Sequence, residues 1–421
     1  MPDRSKAPEF QIPDHIDLIQ PRKWTLKNGI PLYYIQTDTI EAVKLEVIFQ
    51  TPLKKIPEGK GLVPFFTLHM LLEGTHNLPS EELDNFFDHY ASEVEFISSF
   101  EQHGLSLLCT AKHFKDVLPV FRSLFTEAVF PKKELDTRKA QKKLSIALQL
   151  DKNPARANQL IRKALFGSDH PFGFIAREED VDEVSVEDLK TFYQDNFLNR
   201  PELFLTGPLG DDQVTEIMKA FEDLPNLAAP IHLLDYQFNP NEKITETRAK
   251  SVQSTIRIGQ HLISKKHPDH HGLMVFNTIL GGYFGSRLIR NIREDKGHTY
   301  GIYSSIGSLN PTDYWLVMAD VQKGFAEEVI EEVYKEIDRL KSEAVSHDEL
   351  ETVRNYMIGH FLSSFSSPFD LISRFKSIHQ HGLDYSFYEE QLQYIRKFTP
   401  EDVLRIGQQY FKENFIEVVV G

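Results

Sequence analysis

Arg293 and Tyr300, in the second half of the chain, are two hydrogen-bond donors seven residues apart that could take part in catalysis. The sequence predicts a helix over residues 285–296 that stops at Gly297, a residue type common just after a helix end. Tyr300 would then begin a strand. A guanidinium from the helix end and a phenol from the strand start would converge on one point. Two such donors suit a scissile carbonyl or the anion of a tetrahedral intermediate.

Two segments of the sequence resemble motifs of a known family. One block covers residues 281–301 and contains both donors, and the other covers residues 61–75. Taken as wholes, both resemble the insulinase/pitrilysin family of metallopeptidases in its two-domain form. The resemblance covers nearly the whole chain.

In that family, the earlier block holds the inverted zinc motif H-x-x-E-H-M-x-x-x-G-T. Alignment on Met70 puts Phe65 at the first histidine, Leu68 at the glutamate and His69 at the second histidine. The family takes its third ligand, a glutamate, from a later helix, and the corresponding residues 137–150 contain no Asp or Glu. Since zinc needs about three protein ligands, the resemblance predicts a degenerate motif, no metal in this chain and no cleavage by the chain alone.

The resemblance also implies roles for the two donors. Family residues that match Arg293 and Tyr300 hold the substrate and stabilise its transition state. We therefore expect the non-zinc subunit of a heterodimeric peptidase, whose similar-sized partner carries the zinc motif and the zinc. Two alternatives remain open: a catalytically inactive scaffold, and a homodimeric peptide-binding pseudopeptidase. A purely structural role for the donors would have Arg293 paired with an acid and Tyr300 packed with its hydroxyl in solvent.

A peptide substrate is expected to bind in extended form by adding a strand to a sheet edge, because main-chain hydrogen bonds tolerate many sequences. The strand predicted near residues 94–100 is the candidate edge.

The rest of the chain offers no competing chemistry. It has no Gly-rich phosphate loop, no G-x-S-x-G elbow and no C-x-x-C pair. The histidine-rich segment 267–271 is predicted to be a solvated loop. The single cysteine, Cys109, lies in an apolar run and is expected to be a small buried strand residue.

Charge and hydropathy exclude other classes of partner. The net charge of −15 argues against nucleic acid, which selects basic surfaces. No apolar run approaches the roughly 18 residues needed to span a bilayer, so no membrane contact is expected. The first residues lack the apolar segment of a secretory signal, which predicts a cytoplasmic location unless a signal has already been removed.

The helices and strands that hold these residues belong to an internal duplication of the chain. The segment 130–138 is echoed by 345–354, and the segment 185–197 by 399–415, at nearly the same offset. One period of this size means two similar domains rather than a solenoid.

Each half mixes strands with amphipathic helices. Apolar residues alternate along 43–47, as in a half-buried strand, whereas those within 329–340 recur at helical spacing. Strands grouped with helices on one side predict an α+β class with two homologous sandwich domains of the insulinase-like type. We place the domains at residues 1–222 and 237–421, joined by a linker over residues 223–236.

Overall fold

The computed structural model describes residues 18–51, 59–229, 239, 241–412 and 415–421. The described residues form two β-sheets, one in each half of the chain. The first sheet has six strands in the order β1-β2-β6-β3-β5-β4. These strands are β1 (Arg22–Thr25), β2 (Pro31–Gln36), β3 (Ala42–Gln50), β4 (Glu93–Ser98), β5 (Gln102–Thr110) and β6 (Glu202–Gly207).

The second sheet has five strands in the order β7-β11-β8-β10-β9. Its strands are β7 (Lys243–Glu246), β8 (Gln253–Leu262), β9 (Thr299–Gly307), β10 (Asp313–Gln322) and β11 (Ile416–Val420). The buried cysteine, Cys109, lies in β5 of the first sheet, as predicted, and burial raises the pKa of its thiol to about 12.

The two sheets share one topology. In the first, β2 pairs in parallel with β6, and β6, β3, β5 and β4 follow in antiparallel order. In the second, β7 pairs in parallel with β11, and β11, β8, β10 and β9 follow in the same antiparallel order. The predicted α+β class with a repeated domain is therefore confirmed, and β1 is an addition to the first copy.

Helices fill the connections between the strands. They are α1 (Val63–Met70), α2 (Ser80–His89), α3 (Phe114–Thr126), α4 (Lys132–Leu150), α5 (Asn153–Phe166), α6 (Glu178–Asp182), α7 (Val186–Phe192), α8 (Asp211–Phe221), α9 (His270–Asn277), α10 (Ala326–Ser342), α11 (His347–Ser363), α12 (Pro368–His379), α13 (Ser386–Lys397) and α14 (Pro400–Tyr410). Wider π-helical segments cover Tyr193–Phe197, Thr278–Gly282 and Ile289–Asp295.

The repeated segments 185–197 and 399–415 each begin a helix in the same way. Ser185 caps α7 by accepting a hydrogen bond from the backbone N–H of Asp188, at 3.2 Å. Thr399 caps α14 in the same way, accepting from the N–H of Asp402 at 3.3 Å. A cap of this kind satisfies a backbone donor that has no partner inside the helix. The two copies thus share a local device as well as a strand order.

One helix from each half also packs on the sheet of the other half. Helix α5 packs on β8 and β11 of the second sheet through buried residues such as Ile161 and Leu165. Helix α12 packs on β2 and β6 of the first sheet, where Ile372 is buried. Lys376 of α12 also forms an ion pair with the buried Glu46 of β3, at 2.5 Å. This exchange ties the halves together.

The limits of the two domains remain a proposal, at residues 1–222 and 237–421. Part of the predicted linker, residues 230–236, lies outside the described residues. Among the described residues, no helix is both long enough and apolar enough to cross a membrane.

Candidate functional site

The degenerate motif lies on α1, which Pro64 helps to start because its fixed φ suits the first helical turn. Phe65 and His69 are four positions apart, so they share one face of the helix. Leu68 is only 2 % exposed and belongs to the core beneath that face. The helix therefore presents an aromatic ring and an imidazole where the family motif has two histidines.

These side chains form an aromatic stack. The His69 ring lies between Phe65, with ring centroids 4.1 Å apart, and Phe96 of β4, at 4.2 Å. Burial, with smaller contributions from the nearby cations Arg138 and Lys142, lowers the pKa of His69 to about 4. The imidazole is therefore neutral near pH 7 and packed between hydrocarbon faces.

Helix α4 brings a cation to this place. The ammonium of Lys142 lies 3.8 Å from the centroid of the Phe65 ring, a cation–π contact. Burial lowers the pKa of Lys142. The nearby acid Glu73 is already engaged, because Arg138 of the same helix forms an ion pair with it.

The residues at this place do not fit a zinc ion. Zinc requires nitrogen, sulfur or oxygen ligands in tetrahedral arrangement. Phe65 and Leu68 supply only carbon, and the ammonium of Lys142 would repel a dication. Within the described part of the chain, no three His, Cys, Asp or Glu side chains are grouped to hold a metal ion.

A cavity of about 740 Å³ opens beside the stack. Phe65 and Leu68 line it from α1, Lys142 from α4 and Arg162 from α5. Ser98, the last residue of β4, reaches the same cavity. Strand β4 is the outer strand of the first sheet, so the edge predicted near residues 94–100 is indeed an edge and runs into this cavity.

Arg293 lies in the second half, on a helical segment that differs from the prediction. The predicted helix over 285–296 is wrong in its extent and width: residues 283–286 form turns, and Ile289–Asp295 is π-helical. Gly297 ends the segment at φ +68°, as predicted, and the N–H of His298 bonds back to the carbonyl of Ile292 at 3.0 Å. Ile289 and Ile292 of this segment are fully buried.

The guanidinium of Arg293 stacks on an aromatic ring. Its central carbon lies 4.7 Å from the ring centroid of Phe284, which is itself 63 % exposed. Among the described residues, Arg293 makes no hydrogen bond or ion pair, although Glu294 and Asp295 are its neighbours in sequence. The predicted structural alternative, in which Arg293 pairs with an acid, is not what the structure contains.

Tyr300 is the second residue of β9, the outer strand of the second sheet. It is 91 % exposed, far more than a packed tyrosine. Across the described residues, no hydrogen bond or ring contact joins Tyr300 to Arg293. Both predicted donors are thus free, but the structure does not bring them into direct contact.

The prediction of a solvated loop over residues 267–271 is wrong for its last two residues. His270 and His271 begin α9 and are buried. His270 lies 3.5 Å from Asp313, and burial lowers the pKa of the imidazole to about 3. Sequence reasoning took the polar residues for a loop because it could not see that α9 packs against α13 and α14.

Sequence reasoning also missed Lys142 and Arg162. Residues 137–150 contain no acid but several cations, and these cations are the signal that points to Lys142. Arg162 stands outside both motif blocks, and only the crossing of α5 brings it to the cavity.

Comparisons with known proteins agree with this architecture. Residues 58–170 match the family model described as Insulinase (Peptidase family M16), and residues 183–357 match that of the Peptidase M16 inactive domain. The chain is 24% identical over 407 residues to a "Probable inactive metalloprotease YmfF" of Bacillus subtilis (strain 168), covering 90% of this chain and 93% of that protein.

A second relative from the same organism, "Uncharacterized zinc protease YmxG", is 24% identical over 357 residues, which cover 84% of this chain and 86% of the relative. Among solved structures, a peptidase M16 inactive domain from Pseudomonas fluorescens superposes with a TM-score of 0.84 at 19% identity, covering 96% and 98% of the two chains. At that identity the likeness concerns the fold alone. Both halves of the chain are matched, and Phe65 and Leu68 stand at the first histidine ligand and at the glutamate base of the motif. The chain therefore belongs to the peptidase M16 (insulinase) family, as a member whose own zinc motif is inactive.

Proposed function

We propose that this chain is the non-zinc subunit of a heterodimeric M16 peptidase. A partner of similar size would carry an intact H-x-x-E-H motif, its zinc and the general base. This chain would contribute Arg293, Tyr300 and part of the wall around a bound peptide. We place the complex in the cytoplasm.

The observation that carries the proposal is the free state of both donors. Tyr300 is 91 % exposed, and Arg293 has no acidic partner among the described residues. A residue kept only for packing would be buried, and an arginine kept only for stability would pair with a carboxylate. An exposed phenol on the outer strand β9 and a half-buried guanidinium without an acid partner in the described part of the chain fit a role that is completed by another chain.

The two side chains have distinct tasks in the proposed complex. A zinc ion in the partner would polarise the scissile carbonyl and activate a water molecule. The phenol of Tyr300 would donate a hydrogen bond to the carbonyl oxygen as negative charge develops on it. The guanidinium of Arg293 would fix the peptide and add a positive charge near the same oxygen. Neither residue needs to give up a proton.

Substitution of Tyr300 tests this role. The Tyr300→Phe chain, combined with its zinc-bearing partner, should fold and associate as wild type but lose about 10²–10³ in turnover, the usual cost of removing one oxyanion donor. The measurement is steady-state cleavage of a quenched fluorescent peptide, with association followed by size-exclusion chromatography.

Tyr303→Phe is the matched control. Tyr303 lies on the same edge strand and is 50% exposed, so its hydroxyl should be dispensable. Arg293→Ala should also lower turnover, whereas Arg290→Ala, on the same helical segment, should not. Wild-type cleavage by both the Tyr300→Phe and Arg293→Ala complexes would contradict the proposal and favour a scaffold subunit.

A further inference from the structure

The cavity beside the degenerate motif holds two cations without acidic partners. Lys142 touches the Phe65 ring and has no ion pair among the described residues. Arg162 donates only its Nε–H, to the backbone carbonyl of Asn158 at 3.2 Å. Its two terminal nitrogens make no hydrogen bond to any described residue and are not sealed from solvent.

The other charged or titratable side chains among the described lining residues are Asp180, its partner Arg177, Asp169 and His103. Asp180 accepts a hydrogen bond from the backbone N–H of Arg177 at 2.8 Å and lies 3.7 Å from that guanidinium. Asp169 is exposed and interacts with Ser168. His103 is neutral, because burial lowers its pKa to about 4. Among the described residues that line the cavity, three cations (Lys142, Arg162 and Arg177) face two acids (Asp169 and Asp180), so an excess of positive charge remains.

Burial makes these cations costly unless an anion joins them. Burial lowers the pKa of both Lys142 and Arg162, which means that the protein surroundings disfavour their charged forms. Aromatic faces offset part of that cost: Phe65 for the lysine, and Phe172, at 5.6 Å from its ring centroid, for the arginine. A bound carboxylate would supply the rest, through charge-assisted hydrogen bonds.

We propose that the cavity binds a carboxylate group of a peptide, with Arg162 as the bidentate fork and Lys142 as the second cation. This inference rests on the proposed peptide-binding function. The lost zinc site would thereby have become an anion site, with the cation supplied by α4 and α5 instead of a metal.

A peptide that adds a strand to the first sheet would reach this cavity. A segment that pairs with the open edge of β4 leads to Ser98 and from there into the cavity. The volume of about 740 Å³ lies within the range of ligand pockets, so a side chain or a chain end fits. The carboxylate could come from a C-terminus or from an Asp or Glu side chain, and the chemistry of recognition is the same.

Calorimetric titration of the full chain with one acetylated octapeptide in three forms tests the proposal. The forms carry a free C-terminal carboxylate, a C-terminal amide, or the amide with one internal Glu. The free acid or the Glu form should bind about 10- to 100-fold more tightly than the plain amide, as expected for hydrogen bonds to a charged group. Whichever form gains affinity identifies the source of the carboxylate.

Substitutions then assign the preference to the two cations. Arg162→Gln and Lys142→Met should each remove most of the difference between acid and amide, while Arg162→Lys should keep part of it because the charge remains without the fork. Lys133→Met is the control, since Lys133 lies on α4 with its side chain 90% exposed and away from the cavity. Thermal unfolding checks that each variant is folded.

The outcomes separate this inference from the proposed function. Equal binding of all three peptide forms overturns the carboxylate site and leaves peptide binding intact. Binding of none of them by the folded chain also overturns the carboxylate site, whereas the proposed function is judged separately by cleavage in the complex with the zinc-bearing partner. Preference for the acid that survives Arg162→Gln and Lys142→Met in folded protein would overturn the assigned residues.

Discussion

The outer strands β4 and β9 occupy equivalent positions in the two sheets, but the side chains beside them differ in character. Beside β4, His69 is packed between Phe65 and Phe96, and a lysine covers the stack. Beside β9, Tyr300 projects into solvent and Arg293 has no acidic partner among the described residues. One topology thus supports a filled site and an open one.

Strand order therefore determines where in each half a site can lie. The types of the side chains there determine whether the site is filled by packing within the chain or is left open for a partner. At the first edge, Phe65 and Leu68 place hydrocarbon side chains at two positions of the zinc motif. The rings of Phe65 and Phe96 pack against the His69 ring. At the second edge, Tyr300 and Arg293 have no hydrogen-bond partner in the part of the chain that the structure describes. A side chain as exposed as that of Tyr300 contributes little to folding stability, so packing does not explain its position.

The largest expected effect is on zinc binding, which should be either stoichiometric or absent. Phe65→His with Leu68→Glu rebuilds the H-x-x-E-H pattern, but the ammonium of Lys142 would still face the site. We expect this double variant to hold no stoichiometric zinc and to cleave no peptide. Adding Lys142→Glu supplies a third ligand and removes the repulsion, so the triple variant should retain about one zinc per chain.

Metal analysis after exhaustive dialysis measures this contrast, with wild type and Lys133→Glu in the double background as controls. Thermal unfolding must accompany it, because Leu68 is buried and a glutamate there can destabilise α1. If the folded double variant binds about one zinc, the third ligand is not limiting and our account of the first site is wrong.

A smaller effect, in stability, should separate the two edges. Phe65→Ala removes a half-buried ring that contacts His69 and Lys142, and should lower the free energy of unfolding by about 2 kcal/mol, below the cost for a fully buried phenylalanine. Tyr300→Ala removes an exposed ring and should change it by less than about 0.5 kcal/mol.

Urea unfolding measures both values. Phe284→Ala serves as a control for residue type, because Phe284 is an exposed phenylalanine and should behave like Tyr300. If Tyr300→Ala costs as much as Phe65→Ala, the phenol belongs to the packing and the contrast between the edges disappears.

Much of this arrangement could be predicted from the sequence because it depends on residue identity or on local pattern. Phe65 and Leu68 exclude metal ligation whatever their surroundings. The echoes at residues 185–197 and 399–415 predicted a repeated domain, and the caps on α7 and α14 confirm their equivalence. An apolar strand near residues 94–100 could likewise be placed at an edge.

The parts that the sequence did not predict depend on contacts between distant segments. Lys142 meets Phe65 only because α4 packs against α1, and Arg162 reaches the cavity only because α5 crosses to the second sheet. No local pattern encodes such a crossing. The widened turns of Ile289–Asp295 are another case, since helical spacing of apolar residues does not distinguish an α-helix from a π-helix over so short a segment.

The smallest expected effect is a pH dependence of the first site. The pKa of His69 is lowered from 6.5 to about 4, first by burial and then by Arg138 and Lys142. Between those two pH values, His69 is protonated in the unfolded chain but neutral in the folded chain. Its contribution to stability is therefore complete above about pH 6.5 and declines as the pH falls toward 4.

Lys142→Met removes one of the weaker causes of the lowered pKa, so it should raise the pKa of His69 modestly and reduce the loss of stability at acid pH. Histidine NMR titration and thermal unfolding across this pH range measure both, with Lys133→Met as control. An imidazole in the folded wild-type chain that titrates at its ordinary pKa would mean that His69 is solvated, and the first edge would then be as open as the second.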